Sequence, residues 1–268
     1  MKISKHTTSY LTFNTSVHLL LAYENIALTV NKKRTTPVFS DHGEINIDID
    51  HGPTSRINIS TEHAGYNLAL LNLNAAIVEG TLRQLFSSLL KNDGPILGAL
   101  SKQATLNNHI LFKAYQNIMK ANYDIELNGG WDKLKNEIFN YTNLNLNDCM
   151  PNKDTFQTLF TLRNATAHGT ALISPNSKMT EDQKDFYPYI WQNRLNAANI
   201  YTSKKFNLNL FDALNHPDFA KHFMDETIIF MQNIKSKNIF THNDFLLTNF
   251  ERFTFGKISG QSFSFVSE

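Results

Sequence analysis

The chain has 268 residues, 41% of them hydrophobic, with 25 basic and 24 acidic side chains. That is enough apolar material for one large domain, or one domain with an appendage, and it excludes a chain too polar to bury a core. A formal charge of +1 gives no global nucleic-acid signature, so any contact with RNA has to come from a local patch.

The single cysteine, Cys149, excludes an internal disulfide and a Cys-based zinc knuckle. The opening run Met-Lys-Ile-Ser-Lys-His lacks the apolar stretch of a cleaved leader. Val17 to Tyr23, broken by His18, is too short to cross a bilayer. The expectation is a soluble, cytoplasmic protein with no membrane contact.

Residues 1–60 are expected to form an N-terminal α/β extension. Val17 to Val30 fits either a short helix or two strands and is assigned as helix. Lys32-Lys33-Arg34 is the densest basic run, either a solvated loop or a nucleic-acid contact. Glu44 to Asp50 alternates strictly, and Ile57-Asn58-Ile59 repeats the alternation after His51-Gly52-Pro53, the pattern of a β-hairpin. Asp48 and Asp50 share one strand face near His42 and His51. No recognisable ligand spacing follows, so a polar edge-strand face is preferred to a divalent-ion site.

From Ser60 the period becomes helical, and residues 61–235 are expected to form an antiparallel helical bundle. Leu68, Leu71, Ala75, Val78, Leu82, Leu85 and Leu89 make one stripe, which Asn92-Asp93-Gly94-Pro95 is expected to end. Asn72, Glu79 and Arg83 run along its edge. Glu79 and Arg83, spaced i,i+4, form an ordinary side-chain pair by default; the alternative is that Glu79 reaches across to Arg163 and orients it. Leu106 to Ala121 predicts a second helix. Trp131, Leu134, Ile138 and Tyr141 predict a third, whose aromatics are assigned to the core rather than to a base-stacking platform.

Asp154 to Ala171 predicts a helix opened by an Asp154/Gln157 capping box. Phe156, Leu159, Phe160, Ala167 and Ala171 share one arc of it, and Arg163 falls near the middle. The chain has only six arginines, and one on an apolar stripe needs a partner for its charge. Two readings stand at this point. Arg163 is a structural cation against another helix's carboxylate, with His168-Gly169 ending the helix, or Arg163, Asn164 and His168 face a groove.

Downstream, residues 174–216 are expected to be a long insertion, opened by Ser174-Pro175-Asn176-Ser177. It carries Tyr187, Tyr189, Trp191 and Phe206 beside Lys204 and Lys205, the candidate RNA contacts. Asn215-His216-Pro217-Asp218 then starts a last bundle helix through Phe219, Phe223, Thr227, Phe230 and Ile234. Residues 236–268 are a C-terminal tail. There the alternation in Arg252-Phe253-Thr254-Phe255 and in Ser262 to Val266, around Gly256 and Gly260, predicts a second hairpin.

The string Arg163-Asn164-Ala165-Thr166-Ala167-His168-Gly169 resembles the signature of the HEPN superfamily: Arg, a polar residue, a short spacer, then His, late in a helical bundle. The specific match is seven residues long. The resemblance implies a metal-independent endoribonuclease of toxin or phage-defence type. It would work as a homodimer with the Arg and His of both subunits in one cleft, need no cofactor, and answer to an antitoxin or defence-system partner. Some relatives are inactive binding or scaffold modules. Others carry a Tyr two residues after the His as a modification site, and here that position is Thr170.

The side chains suit that chemistry. RNA supplies its own nucleophile in the 2′-hydroxyl. An imidazole with an ordinary pKa of about 6.5 can move the proton, and a guanidinium can bind two phosphate oxygens of the transition state together. Arg163 and His168 are the candidate catalytic pair, with Asn164 holding a phosphate oxygen or fixing the imidazole tautomer, and Glu79 behind Arg163. Walker, HExxH, GxSxG and dinucleotide-binding patterns are lacking, since Gly94-Pro95-Ile96-Leu97-Gly98 has no following Lys and Ser/Thr.

Overall fold

In a computed structural model, the described residues are 15–35, 45–47, 57–59, 61–103, 109–127, 130–169, 172, 174, 177–183, 190–241 and 244–256. They form a mainly helical bundle. Its elements are α1 (Thr15–Thr35), α2 (Thr61–Gln103), α3 (His109–Leu127), α4 (Trp131–Thr142), α5 (Lys153–Ala167), α6 (Ile190–Phe206), α7 (Leu210–Leu214), α8 (Phe219–Lys235) and α9 (Asp244–Glu251). Two three-residue strands, β1 (Ile45–Ile47) and β2 (Ile57–Ile59), pair antiparallel with Ile45 opposite Ile59. The intervening His51-Gly52-Pro53 turn, and the Asp48, Asp50, His42 and His51 group, lie outside the described residues.

The spine is α2. Leu71, Ala75, Val78, Leu82 and Leu85 are buried on one stripe, with Leu68 and Leu89 partly covered at its ends. Apolar burial of this kind is worth about 1.5–3 kcal/mol for each large side chain and is the main reason the helices associate. α1 packs along this spine: Val17, Leu20, Tyr23, Ala27 and Val30 repeat at helical spacing and belong to the same core, which decides helix over strands for this stretch. The Tyr23 hydroxyl ties α1 to α8, donating to the Ala220 carbonyl at 3.1 Å.

Three local expectations give way to packing. α2 does not stop at Asn92-Asp93-Gly94-Pro95 but continues to Gln103. Pro95 forfeits one helical hydrogen bond, yet neighbouring helices hold the turn. Tyr141 Oη donates to Asp93 Oδ2 at 2.5 Å, and a Cβ at Gly98 would sit 3.7 Å from the Tyr115 ring. The expected irregular stretch at 174–216 is largely α6 and α7, whose Leu195, Ala198, Tyr201, Leu210 and Leu214 are buried. Tyr187 and Tyr189 are outside the described residues.

The third concerns the C-terminal end, where Arg252 to Phe255 is not a strand. Buried Glu24 prevents it. One carboxylate oxygen accepts from the Thr254 backbone N–H at 2.8 Å and from its hydroxyl, and the other accepts from the Gly256 N–H at 2.6 Å. Phe253 and Phe255 meet Tyr23 edge to face at 5.4 and 5.9 Å. Phe255 and Gly256 have φ of 54° and 67°, incompatible with a strand. Ser262 to Val266 lies outside the described residues.

Candidate active site

α5 carries the candidate residues. It begins two residues earlier than the expected capping box: Asn152, not Asp154, is the N-cap, its side chain accepting from the Asp154 N–H at 2.9 Å. Phe156, Leu159, Phe160 and Leu162 are buried. Ala167 is exposed because the helix ends there, with His168 as C-cap and Gly169 at φ +62°. Thr170 and Ala171 are outside the described residues.

The stack that fixes this helix against α4 and α8 is aromatic. Trp131 lies over Phe160 with centroids 4.3 Å apart and planes 18° apart, and Phe156 meets Phe230 at 4.7 Å. Phe156, Phe160 and Phe230 are buried in the core, whereas Trp131 packs against its edge and is only partly buried.

Arg163 sits at the seam with α2. Its Nη2 donates to Glu79 Oε2 at 2.6 Å and its Nη1 to Asn164 Oδ1 at 2.8 Å. One turn on, Thr166 Oγ1 donates to Asn72 Oδ1 at 2.7 Å, so the two helices are tied twice, antiparallel, by the polar edge of α2. Glu79's hydrogen-bond partner across the interface is therefore Arg163, while Arg83 Nη1 donates to the Ile125 carbonyl on α3.

The electrostatics of the pair are not those of a simple stabilising bridge. The Glu79 side chain is 11% exposed and that of Arg163 31%. Burial lifts the Glu79 carboxyl above its ordinary 4.5, although Arg163 and Arg83 both pull it down. Desolvation outweighs attraction, so the pair orients Arg163 more than it stabilises the fold.

His168 stands apart. Its backbone N–H closes the helix onto the Asn164 and Thr166 carbonyls, but its imidazole is exposed and has no side-chain partner among the described residues. Within one protomer the structure brings together Arg163, Asn164 and Glu79, and leaves His168 at the surface just beyond the helix end. Lys204 and Lys205 are exposed on the last turn of α6. Lys204 is ion-paired with Glu181.

Two features were not read from the sequence. A groove of about 550 Å³ runs between the start of α4 and the outer face of α5; Asn164 lines it, and Arg163, His168, Lys204 and Lys205 do not. Its signal in the sequence is the pair of lysines, Lys133 and Lys135, beside Trp131, a ring that is only partly buried and not fully inward as its period predicts. The second is a polar chain through the core. Tyr201 Oη lies 2.6 Å from both Thr155 Oγ1 and His222 Nε2. Burial, then the charge of Lys205, depresses the His222 pKa to about 4, and burial lifts Tyr201 to about 12. The signal for it in the sequence is the helical period of α6, which places Tyr201 inward with Leu195 and Ala198.

Among the described residues, no three His, Cys, Asp or Glu side chains converge as a metal-ligand set, and no helix is long and apolar enough to cross a membrane. Compared with protein-family models, curated proteins and solved structures, the chain matches none of them.

Proposed function

We propose that the protein is a metal-independent endoribonuclease of toxin or phage-defence type with a HEPN-like bundle, acting as a homodimer. The observation that carries this reading is a guanidinium locked between Glu79 and Asn164, on the same helix whose C-cap residue, His168, presents an unpartnered imidazole.

A guanidinium with both Nη groups already oriented loses little freedom when its remaining N–H donors meet a phosphate. In the reaction His168 takes the proton from the 2′-hydroxyl, whose oxygen attacks phosphorus. Arg163 and Asn164 hold the non-bridging oxygens as charge builds there, the bond to the 5′ oxygen breaks, and that oxygen leaves with the proton returned by a His168 imidazolium. The products are a 2′,3′-cyclic phosphate and a 5′-hydroxyl. Because His168 lies beyond the Arg163–Asn164 pair within one chain, a two-fold arrangement of two motif helices is what would close the site, each His168 facing the other protomer's Arg163. An antitoxin or defence-system protein belongs to the same reading as the partner that restrains it.

The test is expression in a bacterial host. Growth arrest with RNA fragmentation, cyclic-phosphate ends and activity in excess chelator, all abolished by Arg163→Ala and by His168→Ala, is the expected result. Cleavage that needs a divalent ion, or that survives either substitution, refutes the mechanism. A second reading has one observation in its favour: the groove is lined by Asn164 but not His168, as a non-cleaving RNA- or nucleotide-binding module requires. RNA binding by the purified dimer without any cleavage would select it.

A further inference from the structure

We infer that the groove between α4 and α5 is the track for the RNA strand flanking the scissile phosphodiester, a proposal that rests on RNA being the ligand of the Arg163 site. The groove's volume of about 550 Å³ is in the range that encloses a nucleotide-sized ligand, roughly 300–1,000 Å³. Its walls supply the two things a single strand needs, a run of positive charge for phosphates and an aromatic surface for a base.

The charge comes from Lys133, Lys135 and Lys153, against one carboxylate, Asp132. Lys153 is exposed at the first position of α5 and has no ion-pair partner among the described residues. Lys133 and Lys135 rest on Asp124 and Asp132 at 3.1 and 3.0 Å. Each pair has one well-exposed partner, Lys133 at 41% against Asp124 at 25%, and Asp132 at 86% against Lys135 at 21%, so water reaches both contacts and a phosphate can compete for the lysines. The start of α4 also opens here: its N-cap is Gly130, with no side-chain cap, so the first-turn N–H groups are left for an anion.

The aromatic surface is Trp131. Phe160 holds one face at 4.3 Å, and the Lys135 ammonium lies 5.5 Å from the ring centroid. A base entering the groove can take the ammonium's place over the ring while Lys135 turns to a phosphate. At the other end lies Asn164. Its Oδ1 accepts from Arg163, which leaves its Nδ2 protons for the strand and makes Asn164 the link between track and cleavage site.

The track is tested with a 2′-O-methyl oligoribonucleotide of about eight nucleotides, which cannot be cut, titrated by fluorescence anisotropy against the full-length His168→Ala protein. The expected result is binding whose affinity falls tenfold or more in the Lys133→Gln/Lys135→Gln/Lys153→Gln variant. Each phosphate contact on a single strand contributes about −0.7 to the slope of log K against log salt, so that slope should flatten by about 2. In protein carrying Trp191→Phe, the remaining indole, Trp131, should be quenched on binding. Circular dichroism checks that each variant is folded, because Lys153 is exposed but Lys133 and Lys135 are half-buried.

No binding overturns the proposal, as does binding with affinity and salt slope unchanged in the lysine variant. Equal displacement by polyglutamate also overturns it, because the groove is then only a charge patch. The outcomes separate the two readings. RNA cleavage by a protein whose lysine variant binds normally would remove the track and leave the nuclease standing. Lysine-dependent binding by a protein that never cleaves RNA would do the reverse.

Discussion

Removing Arg163 probes the seam on which the site depends. Arg163→Ala leaves the Glu79 carboxylate, 11% exposed, without its 2.6 Å partner. Deleting one member of a fully buried pair costs about 3–5 kcal/mol. Arg163 is itself 31% exposed and water takes part of its place, so about 1–3 kcal/mol is expected here. For a chain this size that lowers Tm by roughly 3–10 °C.

The loss must depend on pH, with a sign fixed by Glu79. Its folded-state pKa is raised above 4.5, so ionising it in the fold costs stability as pH rises through the interval between its unfolded and folded values. Deleting Arg163 removes an attraction that held this pKa down, moving it higher and enlarging the cost. The difference between wild type and variant is therefore smallest at acid pH, where Glu79 is protonated in both, and grows as pH rises through the raised pKa. Urea unfolding at a series of pH values measures it, and in a Glu79→Gln background the pH dependence of the Arg163→Ala effect should vanish. A penalty that is the same from pH 4.5 to 8, or that persists in the Glu79→Gln background, would refute the desolvated pair as described.

Three further outcomes are expected. His168→Ala, at an exposed side chain beyond the end of α5, should change stability by less than about 0.5 kcal/mol while abolishing RNA cleavage; a large fall in Tm would show that the histidine is structural. His222, depressed to about 4, binds a proton more readily in the unfolded chain. Its contribution is thus full above about pH 6.5 and is lost as pH falls towards 4. After allowance for solvent that is on the order of 1–2 kcal/mol, and it should disappear in His222→Gln, as pH-dependent unfolding would reveal. Gly256→Ala would place a Cβ 2.2 Å from the Leu28 backbone nitrogen at φ +67°, for a loss of about 2–4 kcal/mol. Gly169→Ala, at φ +62° with nothing within 4 Å, should cost only about 1 kcal/mol of backbone strain; equal losses at the two sites would contradict the close approach of Gly256 to α1.

What the sequence determined by itself is the set of helices with uninterrupted period, and the helix that bears the motif. Leu71, Ala75, Val78, Leu82 and Leu85 could face one direction only in a helix, and α4, α5 and α8 declared themselves in the same way, because side-chain direction follows locally from backbone geometry. The polar edge of α2 was also visible in Asn72, Glu79 and Arg83. Which of two arginines Glu79 would hydrogen-bond was not, since Arg163 lies 84 residues away and only the crossing of α2 and α5 brings them together.

Tertiary structure decided the rest wherever a distant group outbid a local signal. Pro95 and Gly94 mark a stop, but Tyr141 and the packing of α3 carry α2 past them. Phe253 and Phe255 alternate like a strand, but Glu24 captures the Thr254 and Gly256 N–H groups and turns the backbone. The groove beside Trp131 is likewise a property of assembly: it exists because Phe160 and Phe230 fix α5 and α8 against the start of α4, and no spacing along one segment encodes the space left between two.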